Sequence, residues 1–290
     1  MFKQISLSLA ALALLASCSI KEDRINCQAP VTVRVSDFSM LMEEFPGTKA
    51  TAVSDYSAVK FLTLAFYKPD GTQAYNLTQN RDDATTYTTF GEFSCNLNLG
   101  DYTMVVIGYA GTSPFTLTSK IIATCTDERL QDTFLATEAI SVSDTSPLDL
   151  SATLHRVVSR LGVRSTDGRP AAATKIRMTF SRGGRNFNPT DGSSATNTGF
   201  ANTIPFSAAV GNTTASASFL FLYSDEDTQD VTLEVLDDED HVLRSETVKD
   251  VPLRRNRFTL LEGQLFTAFG SAGSFLIESG WLEDEGPIAF

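Results

Sequence analysis

The sequence of 290 residues predicts an all-β protein made of two tandem antiparallel β-sandwich domains. Three observations carry this expectation. Short runs that alternate apolar and polar residues recur about every ten positions, separated by turn-forming stretches. Those runs are rich in β-branched and aromatic residues, in a chain with 20 Phe and 7 Tyr that is 42% hydrophobic. A helical period appears over one short segment only, from Asp127 to Thr137.

Residues 1–17 precede the sandwiches and read as an export signal. Lys3 gives a small positive start, and Ile5 to Ala16 is an apolar run broken only by Ser6 and Ser8. The run falls short of the roughly 20 apolar residues that span a hydrocarbon core of about 30 Å. Leu15-Ala16-Ser17-Cys18 closes it and resembles the lipobox of bacterial lipoproteins, in which the cysteine is diacylated and becomes the new N-terminus. The alternative is ordinary cleavage near Ala16, with Cys18 a passive thiol. Acyl chains that bury methylenes at about 0.8 kcal/mol each would hold the protein stably at a membrane without spanning it. Residues 18–29 are polar and aperiodic, as a tether is.

The first domain is expected over 30–147. Val31, Val33 and Val35 alternate with Thr32, Arg34 and Ser36, which predicts a strand from Val31 to Phe38 buried on one face. Further strands are expected at Val59–Tyr67, closed by the turn Pro69-Asp70-Gly71, at Phe93–Leu97 and at Thr103–Tyr109. Asp127 to Thr137 is expected to be a short helix with Leu130, Phe134 and Leu135 on one face. Pro147 marks the boundary, and the second domain is expected over 148–290. It opens on an alternating segment from Leu148 through Leu154 whose register shifts at Val157, which predicts a bulge or bend. Strands follow at Lys175–Ser181, Ala215–Tyr223, Val231–Leu236, Val242–Val248 and Arg257–Leu261, with a last one at Ser274–Leu282. Residues 183–202, rich in Gly, Asn, Ser and Thr, read as a long mobile loop.

Composition narrows the chemistry. A formal charge of −12 makes nucleic acid a poor partner. With Cys18 assigned to lipid, Cys27, Cys95 and Cys125 remain; Cys95 with Cys125 is the expected bridge, and three buried free thiols are the equal alternative. There is no Cys-x-x-Cys, and the histidines, His155 and His241, lie far apart, so no zinc site is expected. His155, inside a strand, reads as a satisfied structural histidine. Neither a Gly-x-Ser-x-Gly elbow nor a His-Glu-x-x-His helix is present, and no Gly-rich loop opens a helix, so no enzyme activity, cofactor or metal is expected. Asp237-Asp238-Glu239-Asp240 and Asp225-Glu226-Asp227 read as solvated turns, the first a hairpin.

Several phrases resemble the fimbrillin family of type V pili, most closely its minor and anchor subunits. They are Cys18-Ser19-Ile20-Lys21-Glu22-Asp23 with Cys27, Gly100-Asp101-Tyr102, Leu154-His155-Arg156-Val157-Val158-Ser159-Arg160-Leu161, and Val251-Pro252-Leu253-Arg254-Arg255-Asn256-Arg257-Phe258-Thr259. The acidic pair after Lys21 is similar to a signal that sends some lipoproteins across the outer membrane to the cell surface; a generic solvated linker is the alternative. The resemblance implies a pair of transthyretin-like sandwiches, no enzyme activity, and outer-membrane attachment with assembly into a fimbrium by strand exchange between subunits. In that family a protease removes the first strand and a neighbour's strand fills the groove. Here Val31–Phe38 is the candidate first strand, Lys49 the candidate processing site, and the segment from about Ser274 the candidate donor. An anchor must keep its first strand, because cutting would part it from its lipid. The alternative is an outer-membrane surface lipoprotein that binds a glycan or a host protein.

Overall fold

The computed structural model describes residues 27–39, 51–52, 57–267 and 276–278. Residues 1–17, Cys18, most of the tether, Lys49 and Trp281 lie outside the described residues. In chain order the strands are β1 (Gln28–Ser39), β2 (Thr51–Ala52), β3 (Phe61–Tyr67), β4 (Gln73–Asn80), β5 (Glu92–Asn98), β6 (Gly100–Tyr109), β7 (Thr116–Ser119), β8 (Ile122–Thr124) and β9 (Thr133–Val142). They continue as β10 (Leu148–Arg156), β11 (Ser159–Ser165), β12 (Lys175–Phe180), β13 (Phe200–Pro205), β14 (Ala215–Leu220), β15 (Glu226–Leu236), β16 (Val242–Arg254), β17 (Phe258–Gly263) and β18 (Leu276–Glu278). The protein is all-β, as the sequence predicts.

The first sandwich is one sheet folded on itself. One layer holds β5, β1 and β10, with β2 beside the end of β1; the other runs β9-β6-β3-β4. Among the described residues the strand ladder passes from one layer to the other where His155 and Arg156 of β10 pair with Leu135 and Phe134 of β9. Between them lies the first core: Val31, Val33 and Val35 from β1 and Phe93 and Leu97 from β5 face Leu62, Leu64 and Phe66 from β3 and Met104 and Val106 from β6. The second sandwich packs β14-β11-β17-β18 against β13-β12-β15-β16 around Leu161, Ile176, Phe180, Leu233 and their neighbours.

A third core explains why β3 and β6 read as continuous apolar runs. Their alternate residues, Phe61, Ala65 and Tyr67 on β3 and Val105, Ile107 and Tyr109 on β6, point away from the first core and meet Phe115, Phe187 and Phe221. The two sandwiches are therefore joined by a buried apolar seam. Phe187 stacks on Phe221 at 4.5 Å between ring centroids and meets Phe115 edge-on at 5.1 Å. Phe187→Leu keeps an apolar side chain there but loses both ring contacts, and is expected to cost about 1–2 kcal/mol in chemical unfolding.

Four expectations are corrected. The helix at 127–137 is absent: Thr133–Val142 is a strand paired with β6 along its whole length. Phe134 and Leu135 mimic a helical stripe because β9 is covered on both faces, so that adjacent residues enter the first and third cores. Leu148–Arg156, expected to begin the second domain, pairs with β1 and β9, so the chain changes sheets at Val157 rather than Pro147. The shift foreseen near Val157 is that bend. Residues 183–202 are held down, since Phe187 is buried and exchanges backbone hydrogen bonds with Ala123, and the last of them open β13. Two ladders, β1 with β10 and β11 with β17, run parallel rather than antiparallel. In both, the chain between the partners passes through the opposite layer, which supplies the long crossover that parallel strands need.

The end of the second sandwich is fixed by a carboxylate. Asp167 accepts hydrogen bonds from the backbone N–H groups of Leu265 (2.8 Å), Phe266 (2.9 Å) and Thr267 (2.7 Å), and from the Thr267 hydroxyl (2.9 Å). Burial opposes its ionisation, but these donors outweigh burial and hold the carboxyl below its ordinary value of 3.8. A carboxyl depressed on folding adds stability above its unfolded pKa and loses it as pH falls through the lower folded value. Asp167→Asn is accordingly expected to cost about 1–3 kcal/mol at neutral pH, and the gap to the parent should narrow in chemical unfolding as pH falls below the ordinary carboxylate range.

Candidate functional site: the first strand and its slot

β1 alternates because one face is in the core and the other in water. Ala29, Val31, Val33 and Val35 are at most 6% exposed, while Arg34 and Ser36 point outward and Thr32 is half-buried. Both edges of the strand are used. On one side β10 runs parallel to it, from Val31 opposite Leu148 onward; on the other β5 runs antiparallel, from Gln28 opposite Asn98 to Arg34 opposite Glu92. On the outer face Arg34 bridges both neighbours, at 3.3 Å from Glu92 and 3.1 Å from Asp149. Exposed pairs of this kind contribute little, so the valines and the two ladders seat the strand.

A cleft of about 410 Å³ opens where β9 and β10 diverge from their short join. Thr137 and Glu138 of β9, Ser151 and Thr153 of β10, and Asp191 and Arg255 of the second sandwich line it. Arg255 donates to the Asp191 carbonyl at 2.9 Å and pairs with Asp225 at 3.1 Å, which ties the cleft's far wall in place. At the corner itself Arg156 grips Asp132 with Nε on Oδ1 (2.8 Å) and Nη2 on Oδ2 (2.7 Å), and lies 5.2 Å from the Phe134 ring centroid.

The structure places the remaining expected residues as follows. Cys27, Cys95 and Cys125 are free thiols, so the Cys95–Cys125 bridge is not formed. Cys95 packs against the first core, where burial pushes its thiol up to about 11, and Cys125 packs against the third, 3.5 Å from the Tyr109 hydroxyl. That hydroxyl also donates to Asp127 at 3.1 Å, beside Gly111, where any Cβ would fall 2.1 Å from the same carboxylate oxygen. Burial first, then Cys125 and Asp127, hold the phenol well above its ordinary value. His155 lies inside β10, as expected, with its side chain exposed. Asp237–Asp240 is the hairpin turn between β15 and β16; Asp237 accepts from the backbone of Glu239 and His241, and Asp240 takes a positive φ of 66°. Asp225, Glu226 and Asp227 are ion-paired to Arg255, Arg254 and Arg182 rather than merely solvated. Among the described residues no cluster of three or more His, Cys, Asp or Glu is placed to hold a metal ion. The carboxylates of Asp132 and Asp167 were missed as organising groups, because each acts on partners 24 or about 100 positions away.

Comparison with known proteins adds a family and a fold. A sequence family described as of unknown function (DUF6562) matches residues 114–285, more than half of the chain. No curated protein matches. Among solved structures, a Bacteroides ovatus protein classed as an adhesin is similar at TM-score 0.53 and 11% identity, covering 88% of this chain and 93% of its own. The fimbrial anchor protein Mfa2 of Porphyromonas gingivalis is similar at TM-score 0.52 and 13% identity, covering 88% and 98%. A Bacteroides thetaiotaomicron protein classed with polysaccharide-binding proteins is similar at TM-score 0.50 and 8% identity, covering 88% and 99%. At these identities the likeness is one of fold.

Proposed function

The chain belongs to the family of unknown function DUF6562, and from that premise we propose that it is a lipid-anchored fimbrial or adhesive protein of the outer-membrane surface, an anchor or minor subunit that works through strand pairing and not through catalysis. The observation that carries this reading is the seating of β1. The first strand is central in its layer, paired on both edges, and it fills the first core with three valines. A chain with that strand in place has its first sandwich closed, as suits a subunit that must stay covalently joined to lipid at Cys18. At the other end β18 pairs with β17, Leu261 opposite Ile277, so the described part of the candidate donor segment adds a strand to a sheet of its own chain. The fold shared with the fimbrial anchor supports the reading.

Mass spectrometry of the N-terminus from native membranes tests it. An acylated Cys18 peptide continuous through Lys49 is the expected result. A mature terminus at Ala50 would overturn the anchor role in favour of a polymerising subunit, and an unmodified terminus near Ala16 would overturn lipid attachment. The polar cleft at the β9–β10 corner favours a second reading, a surface lipoprotein that binds a glycan or host protein. A deletion strain with normal fimbriae, together with retained glycan binding by the purified protein, would select it.

A further inference from the structure

Among the described residues, the chain from Gln28 to Arg156 leaves three large apolar side chains exposed: Leu99 at 43%, Ile121 at 56% and Ile122 at 37%. All three belong to the end of the first sandwich at which β1 begins. Leu99 forms the turn between β5 and β6, and its N–H donates to the carbonyl of Cys27, the residue before β1. Ile121 and Ile122 sit at the tip of the β7–β8 hairpin. That hairpin leaves the seam next to Phe115, which packs on Tyr109 at 4.6 Å between ring centroids. Tyr109 stands opposite Phe61 at one end of the β3–β6 ladder, and Tyr67 stands opposite Thr103 at the other. β7 ends beside Tyr67, where the Ser119 carbonyl lies 3.5 Å from the Tyr67 hydroxyl. The hairpin therefore points away from the second sandwich, toward the end that Leu99 occupies.

The chain that precedes this end indicates what covers the patch. Residues 18–26 lead into Cys27 and can reach at most about 30 Å, whatever their path. A lipid at Cys18 therefore keeps the patch within that distance of the bilayer interface. A short tether acts as a high effective concentration, so a contact too weak to hold a free protein forms once the anchor is in place. Charge does not create that contact. Lys68 and Lys120 lie at this end, but so do Asp70, Asp101 and Asp144, in a chain of formal charge −12. Apolar burial, rather than attraction to anionic headgroups, has to make it. The large apolar side chains exposed on the second sandwich lie elsewhere: Val242 and Leu243 follow the hairpin turn that stands beside Lys175, at the end far from the seam.

We propose that this end of the first sandwich rests on the lipid surface, with Leu99, Ile121 and Ile122 in the interface, so that the second sandwich projects from the membrane. The inference rests on lipid attachment at Cys18, and its test separates the two. The protein isolated with its native acyl chains is placed in phosphatidylcholine vesicles, with and without brominated chains. The parent, whose one tryptophan is Trp281, gives the baseline. Ile121→Trp should lose at least about twofold more emission to the brominated lipid than the parent does, whereas Val242→Trp should match the parent. Adding Leu99→Asp and Ile122→Asp to Ile121→Trp should abolish the extra quenching, in variants that keep the parent's far-ultraviolet spectrum. With acylation of Cys18 shown by mass, equal quenching at the two positions, or an Ile121→Trp signal no different from the parent's, overturns the orientation and leaves the anchor reading standing. An unmodified Cys18 overturns both. Concentration-dependent dimers that Ile121→Asp abolishes would assign the patch to a second copy of the chain and overturn the lipid contact.

Discussion

Val33→Asp is expected to unfold the first sandwich, at a cost of more than about 4 kcal/mol. Val33 has no exposed surface and stands between Phe93 on β5 and Leu150 on β10. The core around it is built of aliphatic and aromatic side chains, so a carboxylate placed there would lose its water without gaining donors. The neighbouring Arg34→Ala is the control: its ion pairs are exposed, and its loss is expected to cost less than about 1 kcal/mol. Chemical unfolding followed by circular dichroism, with limited proteolysis to show which half opens, measures both. Comparable, small effects of the two substitutions would mean that β1 is not part of the core, and the anchor reading would lose its supporting observation. A large difference would mean that a chain deprived of β1 exposes the faces of Phe93, Leu64 and Met104, and must aggregate or accept a strand from elsewhere.

Much of this was legible in the sequence where one face of a strand is wet. β1, β5, β12, β15 and β16 alternate; the expected limits of β1, β5 and β12 fall close to the observed ones, whereas β15 starts earlier, at Glu226, and β16 runs on to Arg254. The turn at Asp237–Asp240 was legible for the same reason, since two alternating runs flank it. Legibility failed at one strand covered on both faces, although β3 and β6, equally covered, were foreseen as apolar runs, and at short or polar strands. β9, buried on two sides at Phe134 and Leu135, imitates a helix; β4, β7 and β8 are short or polar and gave no period. Sheet membership was also hidden, because a local pattern shows that Leu148–Arg156 is a strand but not that its partner is β1, more than a hundred residues earlier. The candidate site divides in the same way. The first strand could be chosen by its alternation. The corner and its arginines could not be assigned roles, because charge pairing between distant residues leaves no periodic trace; Arg156, Arg160 and Arg257 stood in family-like phrases without a function.

Arg156→Met is expected to cost about 3–5 kcal/mol, because it leaves the Asp132 carboxylate, 12% exposed, without the guanidinium that grips both its oxygens. The effect should be larger than the energy of the pair, since the ladder between β10 and β9 is short, with His155 opposite Leu135 and Arg156 opposite Phe134. Asp132 and Thr133 also accept the backbone N–H groups of Ala110 and Val157, so a displaced Asp132 would loosen the start of the second sandwich as well. The double substitution Arg156→Met with Asp132→Leu removes both charges and refills the space with apolar atoms. It should recover most of the loss, because the penalty comes from the orphaned charge and not from the missing attraction. A double-mutant cycle in chemical unfolding separates the two: recovery identifies desolvation of the carboxylate as the larger cost, whereas a double variant as weak as the single would show that the corner depends on ionic geometry. The choice matters for how the seam is built. With recovery, the apolar contacts of Phe115, Phe187 and Phe221 suffice to join the sandwiches, and the corner arginine is retained for something other than stability.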